Sequence, residues 1–445
     1  MGDAMRGGGR AVVLGASMGG LLAARVLSEV FDEVTVVERD PLDGPAGHRR
    51  GVPHGRHTHA LLPSGSTALE ELFPGLLSGL AEGGTKVIED YTEMVFSVRG
   101  TRLPPGSGFG RPLYLPSRPH LEHRVRERVR ALPNVRFLDR TDAAGLVLDA
   151  AGEAVTGVRV VPADPGGAHR VLPAACVVDA MGRAARTPAW LDGLGFPRPA
   201  EEVVPIHLGY ASTPLRLRPG AVPEKLLLLG GSADRPTGMA LIAYEHDTWL
   251  FTAAGYRPHL PPSDLAGMLR FVEGFAPRHV LDALHAAEPL APPATFRYHA
   301  NRRRRYDRLR RFPRGLLVFG DAMCSFNPIY GQGMTVAALQ ALELRECLRD
   351  GADDLARRFF RAAAKPIDVA WRMAVGGDLA LPQVQGPRSL PVRLTNAYVD
   401  RLLGAARHDR SVADRFIRVS AFLEKPSALV RPWLLCKALT GNRRG

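Results

Sequence analysis

The chain has 445 residues, 45% of them hydrophobic and 23% charged, which suits two packed cores at roughly 100–200 residues each and excludes a lone small binding module. No run approaches the ~20 apolar residues of a membrane helix, and residues 1–10 (MGDAMRGGGR) lack the apolar stretch of a signal peptide, so the expected location is the cytoplasm. The formal charge of +13 suggests nucleic acid at first, but only five of the 58 basic residues are lysine and the arginines are spread along the chain, the mark of a high-GC genome rather than of a phosphate-reading surface.

Residues 11–14 (AVVL) read as a strand, Gly15-Ala16-Ser17-Met18-Gly19-Gly20 as a tight turn, and LLAARVLSEV, apolar at helical spacing, as a helix. A second strand at 34–37 ends in Glu38-Arg39-Asp40. This βαβ unit carries the dinucleotide fingerprint, with an acidic residue about 20 positions beyond the glycines. Gly15 permits the turn, Ser17 is small enough for a pyrophosphate to approach the backbone, and Gly20 lets the helix pack on the strand. Ser17 departs from the glycine usual at that position. The helix start offers free N–H groups and the positive end of its dipole to phosphates. Glu38 can accept hydrogen bonds from both hydroxyls of a ribose, and its charge repels a 2′-phosphate. The ADP-ribose part of FAD or NAD therefore fits, and NADP does not.

Further along, Arg49-Arg50-Gly51-Val52-Pro53-His54-Gly55-Arg56-His57-Thr58-His59-Ala60-Leu61-Leu62 carries histidines at i and i+2 without placed carboxylates, which argues against a metal. Residues 91–109 read as a strand pair with a Pro/Gly-rich loop, and Ser117-Arg118-Pro119-His120-Leu121-Glu122 opens an amphipathic helix. A strand closes at Val177-Val178-Asp179, before Ala180-Met181-Gly182-Arg183. From 201 to 300 the texture changes to alternating β-type runs with a turn at Asp247-Thr248, covered by helices at 263–275 and 279–288. The dense run Arg302 to Arg305 is placed before a strand. Residues 315–319 (GLLVF) form a buried strand, followed by Gly320-Asp321-Ala322, by Asn327-Pro328-Ile329-Tyr330-Gly331-Gln332-Gly333-Met334, and by the helical TVAALQALELRECL. Residues 366–445 read as further helices whose tail, LVRPWLLCKAL, docks on the protein's own core. Cys176, Cys324, Cys347 and Cys436 lie far apart, with neither a disulfide framework nor a zinc spacing.

A nicotinamide dehydrogenase is not expected to return to its first fold, and this chain does. The strand, Gly320-Asp321, Pro328-x-x-Gly331-x-Gly333 and helix resemble the matching segment of the FAD-dependent aromatic hydroxylase superfamily. The resemblance implies that Asp321 binds the ribityl hydroxyls and that Pro328, Gly331, Gln332, Gly333 and Met334 face the flavin's pyrimidine edge, where a helix dipole can stabilise the charge of the reduced ring. It implies that Arg118 reaches the FAD phosphates, in a set with Gly15, Ser17, Met18, Gly19, Gly20, Glu38, Arg39 and Arg49. Asp179-Ala180-Met181-Gly182-Arg183 is similar to the family's D-x-x-G-R signature, although Asp179 suits a turn equally well.

The segment from Arg49 to Leu62, with Asn301-Arg302-Arg303, Tyr306-Asp307-Arg308-Leu309 and FNPIYGQGM, is similar to actinobacterial flavin epoxidases of polyether biosynthesis and related natural-product monooxygenases. His54 stands where those proteins have glutamine. A structural or flavin-proximal role is expected for His57 and His59. The fold implied is α/β (α+β overall): a discontinuous Rossmann-type FAD domain (8–90, 110–200, 300–365), an inserted antiparallel substrate sheet (91–109, 201–299) and C-terminal helices (366–445). The function implied is insertion of one oxygen atom from O₂ into a hydrophobic polyketide- or terpenoid-like molecule through a flavin hydroperoxide, by epoxidation or hydroxylation. FAD is held non-covalently, and electrons come from NADPH or NADH, or as reduced flavin from a partner reductase. A reductase, a halogenase-like enzyme and a flavin carrier without turnover are the alternatives. The last has least need of so large a sheet, and the four isolated tryptophans speak against a halogenase.

Overall fold

The computed structural model describes residues 9–163, 167–351 and 353–440; the expected outer ends at residues 8 and 445 lie outside them. Five strands form a parallel sheet in the order Leu316–Val318, Cys176–Asp179, Arg10–Leu14, Glu33–Val37, Val135–Leu138. Ala11 to Leu14 and Cys176 to Asp179 are buried throughout, as expected where both faces of a parallel sheet are covered. Arg10–Leu14 has a neighbour reached by crossover on each side. Its carboxyl end is therefore the topological switch point, the place where open α/β sheets form a ligand crevice. The glycine turn begins there, and the helices Met18–Leu27, Arg118–Arg130 and Gly333–Arg349 pack around it.

A second, larger sheet runs in the order Cys324–Ser325, Ala294–Arg304, Glu201–Arg216, Trp249–Tyr256, Thr237–Ala243, Leu226–Leu229, Met94–Val98, Thr101–Arg102. It is antiparallel as expected, except that Leu226–Leu229 and Met94–Val98 pair in parallel. The turn before Trp249 uses positive φ at His246 (57°) and Asp247 (51°). Helices Leu265–Val272 and Arg278–His285 cover one face, the first capped by the Asp264 carboxylate, which accepts from the Gly267 N–H at 2.8 Å. Cys324–Ser325 pairs with Ala294–Arg304 only two residues after Gly320–Ala322, so the two sheets are stitched together next to Asp321.

The basic run does not precede a strand. Arg302, Arg303 and Arg304 close the strand Ala294–Arg304, and Arg303 to Arg305 are buried in pairs with Asp368 (2.6 Å), Glu201 (2.9 Å), Glu202 (2.9 Å) and Asp307 (2.7 Å). These guanidiniums are spent inside the molecule because burial of an unpaired charge is costly.

The helix Leu355–Asp378 runs unbroken past residue 365. Beyond it, Leu390–Ala406, Arg410–Ser420 and Pro432–Thr440 place Leu402, Leu403, Val412, Ile417, Leu434 and Ala438 against Ile88, Leu113, Leu226 and Ile242. The tail thus docks on the protein's own core. Among the described residues no helix is long and apolar enough to cross a membrane.

Candidate active site

The glycine turn leaves the first strand through Gly15, whose φ of +100° lies in the region that favours glycine. Gly20 has a different reason. A Cβ there would stand 1.7 Å from the Gly15 carbonyl oxygen, so only glycine lets the helix seat on the turn. Ser17 is the N-cap of Met18–Leu27 but makes no side-chain cap hydrogen bond, which leaves the N–H groups of the first turn free for an anion.

A buried charge cluster surrounds this turn. Glu38 accepts from the Ala16 N–H (2.7 Å) and the Asp40 N–H (3.0 Å). Arg49 donates to Glu122 (2.6 Å) and to the Ala16 carbonyl (3.1 Å), and lies 3.3 Å from Glu38. Glu122 is also bonded by Arg118 (3.0 Å) and Arg126 (3.4 Å). Burial opposes the charge on Glu122, but Arg118 and Arg49 outweigh it and hold the carboxyl below its ordinary pKa. Arg118 Nε remains buried without a hydrogen-bond acceptor. A donor left over beside a helix start fits the phosphate oxygens of a dinucleotide.

Residues 57–59 are fastened to the larger sheet at three consecutive positions. His57 Nδ1 meets Ser212 Oγ at 2.8 Å, Thr58 Oγ1 meets Thr252 Oγ1 at 2.5 Å, and the Tyr244 hydroxyl accepts from the His59 N–H (3.0 Å) while donating to its carbonyl (2.9 Å). Burial, with the neighbouring Arg118, lowers His54 to about 3, and burial lowers His57 to about 4 and His59 well below its ordinary value. All three imidazoles are therefore neutral near pH 7. His59 Nδ1 lies 2.8 Å from the His57 carbonyl, an acceptor only, so Nδ1 carries the proton and Nε2 is a lone-pair acceptor. Among the described residues no group of three or more His, Cys, Asp or Glu could hold a metal ion.

On the other side, Asp378, fully buried at the end of its helix, collects Tyr256 (3.1 Å), Tyr330 (3.0 Å), Asn327 (2.7 Å) and Asn301 (2.6 Å). Asn301 in turn accepts from the Asn327 N–H at 2.5 Å. This network ties the turn 327–331 to two strands of the larger sheet and presents Gly331 to Met334 at a fixed angle. Burial raises Asp378 to about 6, against the opposing hydrogen bonds. Asp179, by contrast, is a turn-former: its carboxylate is fully buried, accepting from the Met181 N–H at 3.0 Å and from Thr187.

The glycine turn, Glu38, Arg118, His54, residues 57–59 and the turn 327–331 border one cavity of about 1970 Å³, roughly twice the upper end of the ~300–1,000 Å³ range for a drug-sized ligand. It is lined by Gly15, Glu38 and Arg118, by Asp321 and Gln332, and by an apolar cluster of Met94, Phe96 and Leu228 with Tyr398 and Phe416 of the C-terminal helices. All fifteen residues expected at the cofactor border it except Gly20, packed under the turn, and Arg49, consumed by Glu122 and Glu38; Arg50 borders it instead. Burial raises the Asp321 carboxyl against the opposing Arg118 and Arg183, and Gln332 Oε1 is buried without a donor. The free helix start, the leftover Arg118 Nε and the orphaned Gln332 oxygen fit a bound flavin dinucleotide.

Sequence reasoning missed Asp378, Tyr256 and the aromatic residues of the C-terminal helices. Asp378 is the only charged residue in MAVGGDLALP, a signal that a buried carboxylate was needed there.

No family model matches the chain. Protein Rv3254 of Mycobacterium tuberculosis is 36% identical over 98% of this chain and 94% of its own length. Among solved structures, a flavoprotein/dehydrogenase of Cytophaga hutchinsonii superposes with a TM-score of 0.68 at 15% identity, covering 98% of this chain and 99% of that one. p-Nitrophenol 4-monooxygenase PnpA of Pseudomonas putida gives 0.64 at 16% identity, over 92% and 96%. PqsL of Pseudomonas aeruginosa, a probable FAD-dependent monooxygenase, gives 0.60 at 19% identity, over 93% and 99%. The chain therefore belongs to the family of Protein Rv3254 and has the fold of the flavin monooxygenases.

Proposed function

We propose that this protein binds FAD non-covalently and is a monooxygenase that inserts one oxygen atom from O₂ into a hydrophobic natural product, polyketide- or terpenoid-like, by epoxidation or hydroxylation. The observation that carries the reading is that one cavity is lined both by a dinucleotide-type turn with Asp321 and Gln332 and by an apolar chamber wall of Met94, Phe96 and Leu228. A dinucleotide would occupy the polar end, leaving the chamber for a second molecule. The reported likeness to flavoproteins supports the same reading through the fold.

On this reading, Glu38 holds the adenosine ribose, Gly15 to Gly20 and Arg118 the diphosphate, Asp321 the ribityl chain, and Pro328 to Met334 the pyrimidine edge, with Arg39 at the adenine end. Arg49 acts through Glu38 and Glu122. FAD, once reduced, supplies the activation of O₂. The chain's own contribution is to orient and to exclude water: the apolar chamber keeps the reacting carbon dry, and neutral His59 presents an acceptor rather than a charge. Residues 8–90, 110–200 and 300–365 then form the cofactor unit, 91–109 and 201–299 the substrate wall, and 366–445 its closure. NADPH or NADH, or reduced flavin from a partner reductase, supplies electrons.

The purified protein is expected to take up FAD one to one. Substrate recovered by mass from the purified protein and incubated with reduced FAD under ¹⁸O₂ gives a product carrying one labelled atom. A product without label sinks the monooxygenase reading and leaves a reductase. Anaerobic mixing with NADPH or NADH bleaches the flavin if the protein reduces itself, and leaves it yellow if a partner is needed.

A further inference from the structure

We propose, resting on the reading that the turn at 15–20 holds the FAD diphosphate, that Glu122 is a positioning residue. It keeps the first helix open to the phosphates by holding the Ser17 hydroxyl off the helix start. A serine at an N-cap ordinarily turns its oxygen back to accept from the N2 or N3 N–H, and those are the groups an anion at a helix start requires. Ser17 has the extended N-cap backbone for that bond (φ −88°, ψ −176°) and does not make it. Its hydroxyl donates instead to Glu122 Oε2 at 2.9 Å and accepts from Arg118 Nη2 at 2.7 Å. Ser117, at the start of the helix that carries Glu122, shows the ordinary behaviour and accepts from the His120 N–H at 3.3 Å.

Glu122 is well placed for the task. It is 5% exposed, and Arg49 (2.6 Å) and Arg118 (3.0 Å) fix both of its oxygens. A glycine at position 17 has no hydroxyl to restrain. The serine that departs from the dinucleotide fingerprint and the carboxylate one hundred and five positions downstream are therefore one device: the second removes the obstacle created by the first. A purely structural Glu122 would matter at least as much with glycine at 17, where Arg118 has no serine hydroxyl to fall back on.

A double-mutant cycle on FAD affinity, read by quenching of flavin fluorescence, separates the two. Glu122→Ala is expected to weaken FAD binding at least about tenfold in the natural chain, because the freed hydroxyl folds onto the helix start. In the Ser17→Gly background the same change costs at least about fivefold less, a coupling typical of residues in contact. Arg49 and Arg126, left uncompensated by Glu122→Ala, are common to both backgrounds and cancel, whereas Arg118 keeps the Ser17 hydroxyl as an acceptor only in the natural chain, which works against the expected inequality rather than for it. An equal loss in both backgrounds, or a larger one with Ser17→Gly, overturns the proposal. Should Glu122→Ala not fold, the cycle is run with Glu122→Gln, which fills the same volume and holds the hydroxyl less tightly, and the same inequality decides. A natural chain that takes up no FAD overturns the flavin reading and this proposal together, whereas normal uptake with no coupling overturns only the role of Glu122.

Discussion

Asp378 takes hydrogen bonds from two tyrosines and two asparagines on one fully buried carboxylate. Burial raises its pKa from 3.8 to about 6, so between those values the folded chain keeps a proton that the unfolded chain has released. The stability it contributes is therefore complete below about 3.8 and is lost as pH rises through about 6, at about 1.4 kcal/mol per pH unit and about 3 kcal/mol in all. Asp378→Asn is expected to remove that slope and, by leaving donors facing donors, to cost about 1–3 kcal/mol at every pH. Urea unfolding of both chains at pH 4, 5, 6 and 7 tests this; parallel stability curves would contradict it. The site was unevenly legible at this scale. Gly15, Glu38 and Asp321 announce themselves because each chemistry tolerates almost one residue type. Asp378 bonds partners 48 to 122 positions away, and Glu122 reaches Arg49 and Ser17 across 73 and 105 positions, and no local pattern encodes such pairings.

The C-terminal helices are the element whose role changes most between sequence and structure. Their spacing shows amphipathic helices, but only the packing shows that Tyr398 and Phe416 line the cavity while Leu402 and Leu403 anchor the helix Leu390–Ala406 in the core. Leu403 is 1% exposed and does not border the cavity, so Leu403→Ala leaves a void in packed protein. It is expected to cost about 2–5 kcal/mol, measured by denaturant unfolding, with FAD affinity of the folded protein unchanged. A loss below about 0.5 kcal/mol, the size expected of a surface substitution, would show that the helix is not anchored there. The strand pair at 94–102 was legible as strands, because alternation survives without context. Its parallel pairing with Leu226–Leu229 was not, since register and direction depend on which neighbour arrives.

For the whole molecule, the cavity is shared by the parallel sheet, the larger sheet and the C-terminal helices, so FAD is expected to stabilise all three at once. At a hundred times its Kd, FAD adds about 2.7 kcal/mol to the folded state. A calorimetric scan is then expected to show one transition moving to higher temperature. Two transitions of which only one moves would separate the cofactor unit from the rest. At this scale too, Arg303 to Arg305 of the densest arginine run are folded inward against Asp and Glu partners. The sequence by itself determined the parallel nucleotide-type sheet, the glycine turn and the second Gly-Asp segment, because each rests on backbone constraints that few residues satisfy. Only the tertiary structure decided that those parts border one cavity, that Arg49 is spent on Glu38 and Glu122, and that the Ser17 hydroxyl is bonded to Glu122 and Arg118. Each of these depends on groups brought together by burial, where an unpaired charge or hydroxyl must find its partner across the fold.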